Sequence, residues 1–197
     1  MPMSAPVLIS FLAYAFTTAL TPGPNNFLTL NTVSRFGIKR SLPMMVGILS
    51  GIGIIMLITA VLSSFLAAWI PQLSVIARYL GALYILYLAY RIFTSPAPSV
   101  DPTQKAPRFV TGMGLQFLNV KIILYAITSL NSFVLPITND PILVASYGAL
   151  LTSISGISLV IWAGLGVMLT QIMQKHYRII NLVLALILVE SAITLLF

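Results

Sequence analysis

The chain has 197 residues, is 59% hydrophobic and only 7% charged, and carries a formal net charge of +7. Soluble domains average roughly 25% charged residues, so a soluble globular fold is excluded and the composition is that of an integral membrane protein. With no cysteine there is no disulfide framework and no thiolate metal site. The basic residues lie between apolar segments, where they set topology, so no nucleic-acid partner is expected and the lipid bilayer is the surrounding phase.

Crossing a hydrocarbon core of about 30 Å takes roughly 20 helical residues. Apolar runs of that length predict an all-α integral membrane protein with six transmembrane helices, at about 5–31, 42–69, 72–93, 110–135, 141–171 and 178–197. The N-terminus, MPMSAPVLIS, lacks the basic region of a cleaved signal peptide and its apolar run continues too far for one, so it is kept as part of the first span.

The first span is interrupted by LTPGPNN at 20–26. Pro22 and Pro24 have no N–H, so the carbonyls of Thr18 and Leu20 lose their helical donors, and Thr21 and Gly23 are pushed from helical dihedrals. Pro24 suits the first turn of a new helix, with Gly23 a permissive residue before it. The predicted result is a half-helix whose first N–H groups, beside Asn25 and Asn26, face the protein interior and can hold a carboxylate. The alternative is a proline kink whose carbonyls are satisfied by neighbouring helices.

The first loop carries Arg35, Lys39 and Arg40. In the second span, Gly47-x-x-x-Gly51 permits close helix packing, and Pro71 marks the next break. A Pro-rich linker, about 95–108, divides the chain into halves of about 1–94 and 109–197 within one domain. The fourth span holds Asn119-Val120-Lys121, about ten residues and so roughly 15 Å from its start. A central lysine costs about 2.5–3.5 kcal/mol to insert. It should therefore face a polar cavity, a substrate carboxylate or an acid, unless it snorkels to the interface. Tyr125 falls on the same helical face. TNDP, with Asp140 as a solvated turn residue, ends the fourth span, and QKHYR, with the single His176, precedes the sixth. Trp69, Tyr79, Trp162 and Tyr177 are placed as span-end anchors. Glu190 is the one acid within a span, a candidate for proton coupling, for pairing with Lys121, or for a headgroup-level carboxyl.

Loops one, three and five together hold Arg35, Lys39, Arg40, Arg91, Lys105, Arg108, Lys175 and Arg178, whereas the opposite side holds only Arg78. The positive-inside rule then predicts both termini outside. Three spans on each side of the linker predict a 3+3 inverted repeat, with the first and fourth spans interrupted. The sequence has no phosphate-cradling loop ending in Gly-Lys-Ser/Thr, no HExxH and no Gly-x-Ser-x-Gly. A secondary transporter is favoured over an ATP-driven pump or a hydrolase; a passive channel is the alternative from another class.

LTPGPNN, the basic stretch from Arg35 to Arg40 followed by Gly47-x-x-x-Gly51, and Asn119-x-Lys121 occur in the order found in the LysE/RhtB superfamily of bacterial amino-acid exporters, which the chain resembles over essentially its full length. Two departures stand out. Many relatives have Asn-Pro-Lys where this chain has Asn119-Val120-Lys121, so the proline that would break the fourth span is missing. Many also carry an acid just after the second glycine of the second span, where Ile52 and Gly53 stand here, so a net-neutral substrate is implied rather than lysine or arginine.

The resemblance implies a multi-pass protein of the bacterial inner membrane that exports small neutral amino acids. Cysteine and O-acetylserine come first, with homoserine, threonine or leucine as alternatives, and the proton gradient supplies the energy. The residues expected to bind substrate are Thr21, Pro22, Gly23, Pro24, Asn25, Asn26, Asn119, Lys121 and Tyr125, with Glu190 as the coupling candidate. No enzymatic activity, cofactor or metal is expected, and small-residue faces leave room for a homodimer.

Overall fold

The computed structural model describes residues 3–95 and 105–196, with side chains other than those at 63–78, 80, 173, 174 and 195. Every element described is helical: α1 (Ala5–Leu20), α2 (Pro24–Phe93), α3 (Phe109–Gln116), α4 (Val120–Ser129) widening into a π-turn at Leu130–Val134, α5 (Pro141–Met168) and α6 (Thr170–Leu196). Prolines at the first turns of α1, α2 and α5 sit where a missing N–H costs nothing. Asp140 does more than a solvated turn residue would: it caps α5, its carboxylate accepting from the Ile142 N–H at 2.8 Å.

The loop expected around Arg35–Arg40 contracts to one residue. Gly37 has φ 74° and ψ 166°, a region open essentially to glycine alone, and it breaks α2 while the flanking residues stay helical. His176 breaks α6 within QKHYR, with φ −125° and ψ 30°. Pro71, where a break is expected, falls within the span of α2, and its side chain and those of Trp69 and Arg78 lie outside the described residues.

Three described helices are long and apolar enough to cross a bilayer: Pro24–Leu62, which contains the Gly37 break, Pro141–Met168 and Lys175–Thr194. A fourth crossing is available to Phe109–Gln116 with Val120–Val134, bent by 59°, while Ala5–Leu20 and Gly81–Phe93 are shorter apolar helices. Large apolar side chains face outward along them, Ile142 at 77%, Val61 at 76% and Met168 at 75% exposure. Such a surface would be costly in water and is matched by lipid, so the protein is a multi-pass membrane protein.

Two cores hold the helices. One joins Phe11 and Ala15 of α1, Met44 to Ala60 of α2, Tyr125 and Ala126 of α4 and Leu151 to Ala163 of α5. The other joins Phe27 and Leu30, the Ala82–Ile92 stretch, and Leu184 to Ala192 of α6. Helices α2 and α3 approach to backbone contact where they cross. A Cβ on Gly47 would stand 2.0 Å from the Phe109 carbonyl oxygen, one on Gly112 2.1 Å from that of Met44, and one on Gly51 2.6 Å from Cγ of Gln116. The glycines of Gly47-x-x-x-Gly51 thus serve packing, and the packing sets Gln116 beside the start of α2.

Candidate functional site

The first predicted break is present. α1 ends at Leu20, Thr21 and Gly23 have extended backbones, and α2 starts at Pro24. Side chains meet the carbonyls of residues 19 to 22 around the break. The Ala19 oxygen accepts from Asn26 Nδ2 at 2.9 Å and Ser158 Oγ at 2.7 Å, and the Leu20 oxygen from Trp162 Nε1 at 3.3 Å. The Thr21 oxygen accepts from Asn26 Nδ2 at 3.0 Å and Lys121 Nζ at 2.8 Å. Lys121 also reaches the Pro22 oxygen at 3.5 Å. Unsatisfied backbone within a bilayer would cost several kcal/mol per group, and these contacts are what permit the break.

The segment expected as the fourth span is also broken, without a proline. The end of α3 tightens into i→i−3 bonds, Phe117 N–H to Gly114, Leu118 to Leu115 and Asn119 to Gln116, and Asn119 leaves helical geometry at φ −86°, ψ 89°. The break thus falls one residue before Val120, and a tightened C-terminal turn replaces proline as its cause.

The two breaks meet. Asn25 Nδ2 donates to Gln116 Oε1 at 2.7 Å, Gln116 Nε2 donates back to Asn25 Oδ1 at 3.0 Å and to the Gly112 carbonyl at 3.0 Å, and Asn119 Nδ2 donates to Asn25 Oδ1 at 3.1 Å. All three amides are buried, Gln116 completely. Sequence reasoning missed Gln116, although an amide three residues before Asn119 in the apolar run LQFLNVK was a usable signal. It missed Ser155 and Ser158 as well, three apart on α5 and both buried.

Around this junction lies a small cavity of about 30 Å³ whose lining includes Gly23, Asn25, Asn26, Asn119, Lys121 and Tyr125. That volume is on the scale of one water molecule and smaller than any amino acid. Among the described residues of the lining, Lys121 is the only charged one. Its chain lies against Gly23, where a Cβ would be 3.0 Å from both Cδ and Nζ. Two wider cavities flank it. One, of about 350 Å³, shares Thr18, Gly23, Pro24, Lys121 and Tyr125 with the small cavity and adds Tyr14 and Glu190. The other, of about 390 Å³, touches Pro24 and is edged by Arg35, Arg91 and Lys105.

The remaining predicted residues distribute as follows. Tyr125 is buried, its hydroxyl 3.4 Å from the Ala15 carbonyl and its ring 6.3 Å from that of Tyr14. Thr21 and Pro22 offer backbone carbonyls rather than side chains. Glu190 is exposed to the wider cavity, and its Oε1 accepts from Thr194 Oγ1 at 3.1 Å. Lys121 spends its ammonium on the Thr21 and Pro22 carbonyls rather than on Glu190. Trp162 lies within α5, its ring 5.4 Å from Phe27 and its N–H on the Leu20 carbonyl at the broken end of α1.

The model of the LysE type translocator matches residues 16–197. The chain is 41% identical over 189 residues to a cysteine/O-acetylserine efflux protein of Klebsiella pneumoniae subsp. pneumoniae, covering 95% of this chain and 96% of that one. It is 39% identical over 191 residues to the protein so named in Salmonella choleraesuis, and 38% identical over 191 residues to that of Escherichia coli K12. Each alignment covers 97% of this chain and 98% of the relative. No solved structure matches the chain. With the family model spanning nearly all of the sequence and both helix breaks inside the matched region, the chain belongs to the LysE type translocator family.

Proposed function

We propose that this protein is a secondary active exporter of small neutral amino acids, cysteine and O-acetylserine foremost, moving them from the cytoplasm outward. The observation that carries the reading is the meeting of two broken helices around one lysine, in a cavity whose lining has no acid. The efflux function named for relatives that align over almost the whole chain supports the substrate class.

In this reading the substrate carboxylate takes the Lys121 ammonium from the Thr21 and Pro22 carbonyls, and the first N–H groups of α2, at Asn25 and Asn26, face the same charge. Removing Lys121 from those carbonyls loosens the wall that the small cavity shares with the Glu190 cavity. Binding and opening are thereby coupled. The wide cavities on the two sides become the two alternately open vestibules, and Glu190, facing Lys121 across one of them, is the group that takes up and releases the coupling proton.

Counting α1 with Pro24–Phe36 as one broken span, then the stretch after Gly37, the helix ending at Phe93, α3 with α4, α5 and α6 gives six crossings. An inverted pair of three-span halves follows from their order. The cavity edged by Arg35, Arg91 and Lys105 then faces the cytoplasm and both termini face outward. Inverted membrane vesicles, whose outer face is the cytoplasmic one, test the function. They accumulate labelled O-acetylserine saturably, and unlabelled cysteine competes better than homoserine, threonine or leucine. Better competition by one of those three reassigns the substrate, and uptake that neither saturates nor responds to collapse of the proton gradient makes the protein a passive channel.

A further inference from the structure

The amides at the junction of the two breaks form a chain whose polarity is fixed at one end. The Gly112 carbonyl is backbone and can only accept. Gln116 must therefore turn Nε2 to it, at 3.0 Å, which leaves Oε1 to accept from Asn25 Nδ2 at 2.7 Å. Asn25 is then held with Oδ1 toward two donors, Gln116 Nε2 and Asn119 Nδ2, at 3.0 and 3.1 Å. Turning Asn119 over would set its oxygen against the Asn25 oxygen. Turning Asn25 and Gln116 to match would end with Gln116 Oε1 facing the Gly112 carbonyl.

The consequence falls on Asn119. Its Nδ2 is committed to Asn25, and its Oδ1 is buried without a hydrogen-bond partner, although the residue is only 2% exposed and lines the small cavity. An asparagine at the start of a helix ordinarily turns its oxygen onto the helix's own N–H groups. Here no such cap is made, so the helix does not use the acceptor. A buried oxygen with no donor is what a ligand bringing a donor would satisfy.

Resting on the exporter reading, we infer that Asn119 Oδ1 accepts a hydrogen bond from the α-ammonium group of the amino acid, and that Gln116, acting through Asn25, is the positioning residue that presents this oxygen. The ligand class is a small molecule with a free ammonium at one end and a carboxylate at the other. The carboxylate goes to Lys121, two residues further along and lining the same cavity, and the ammonium goes to Asn119. Gln116 touches no substrate in this arrangement. It fixes which end of the Asn119 amide the substrate meets.

The test is competition against labelled O-acetylserine uptake in inverted vesicles, comparing cysteine with 3-mercaptopropionate, the same molecule without its amine. Wild-type protein is expected to favour cysteine by about tenfold or more, the scale of one charge-assisted hydrogen bond. Asn119→Leu removes the acceptor, and Gln116→Met frees Asn25 and Asn119 to turn over, so in both the preference for cysteine falls toward parity. A change in packing alone would lower uptake without altering that ratio. Equal competition by the two compounds in wild-type vesicles that take up O-acetylserine saturably overturns the ammonium assignment while leaving the exporter reading intact. An unchanged ratio in Gln116→Met at normal membrane abundance overturns the positioning role. Should Gln116→Met fail to reach the membrane, the wild-type ratio and Asn119→Leu decide. Vesicles with no saturable uptake count against the exporter reading itself.

Discussion

Lys121 Nζ lies 2.8 Å from the carbonyl oxygen of Thr21, a hundred residues earlier in the chain. The lysine that starts one broken helix thus closes the end of the other. Replacing it by methionine keeps the apolar stem out to Cε and removes the donor, leaving the Pro22 carbonyl without the contact and the Thr21 carbonyl with Asn26 alone. Lys121→Met and Lys121→Ala are expected to lower transport by about tenfold or more, the scale of a lost charge-assisted bond, with the protein still in the membrane. Uptake corrected for abundance checks this, and uptake at the original rate would remove Lys121 from the site.

The proline break is tested by restoring the missing donors. Pro22→Ala with Pro24→Ala supplies N–H groups that let α1 continue through residue 24, which withdraws the Thr21 and Pro22 carbonyls from Lys121. The double variant should insert normally and lose transport. Full activity would make LTPGPNN a kink without a role in binding.

Glycines on α3 separate packing from tolerance. Gly112→Ala would place a Cβ 2.1 Å from a backbone carbonyl, whereas one on Gly114 meets nothing within 4 Å. Gly112→Ala should therefore separate α3 from α2, disturb Gln116 and reduce membrane abundance. Gly114→Ala should leave abundance unchanged and stabilise the helix by up to about 1 kcal/mol through propensity. Abundance and thermal unfolding in detergent distinguish the pair.

Glu190 lines the cavity that Lys121 shares, which is a different one from the cavity edged by Arg35, Arg91 and Lys105. If it carries the coupling proton, Glu190→Gln cannot take up or release it, and transport should lose its response to the pH gradient. Uptake driven by imposed gradients of varied size measures this. A profile unchanged from wild type would assign coupling elsewhere.

The sequence exposed those features whose cause is local. Two prolines within three residues dictate a break wherever they fall, and a deep lysine demands a polar neighbour, so the first break and the inward setting of Lys121 were legible. The second break was not legible in the same way, because it arises from tightened turns at the end of α3 and from Asn119 bonding across to Asn25. Gln116 escaped notice since its importance depends on Gly47, Gly51 and Gly112 bringing α2 and α3 into backbone contact, a tertiary fact. The bond from Trp162 to the carbonyl of Leu20 is likewise a tertiary fact, which its place in the apolar run does not show. The basic stretch of the first loop marked a break correctly, though Gly37 alone makes it.

Export of an amino acid through the junction of the two breaks is decided by counterflow. Inverted vesicles preloaded with unlabelled O-acetylserine are diluted into labelled O-acetylserine. Transient, saturable accumulation of label in wild-type vesicles, abolished in Lys121→Met at equal abundance, is the predicted result. Counterflow that is absent from the wild type, or that persists unchanged in Lys121→Met, would contradict the account.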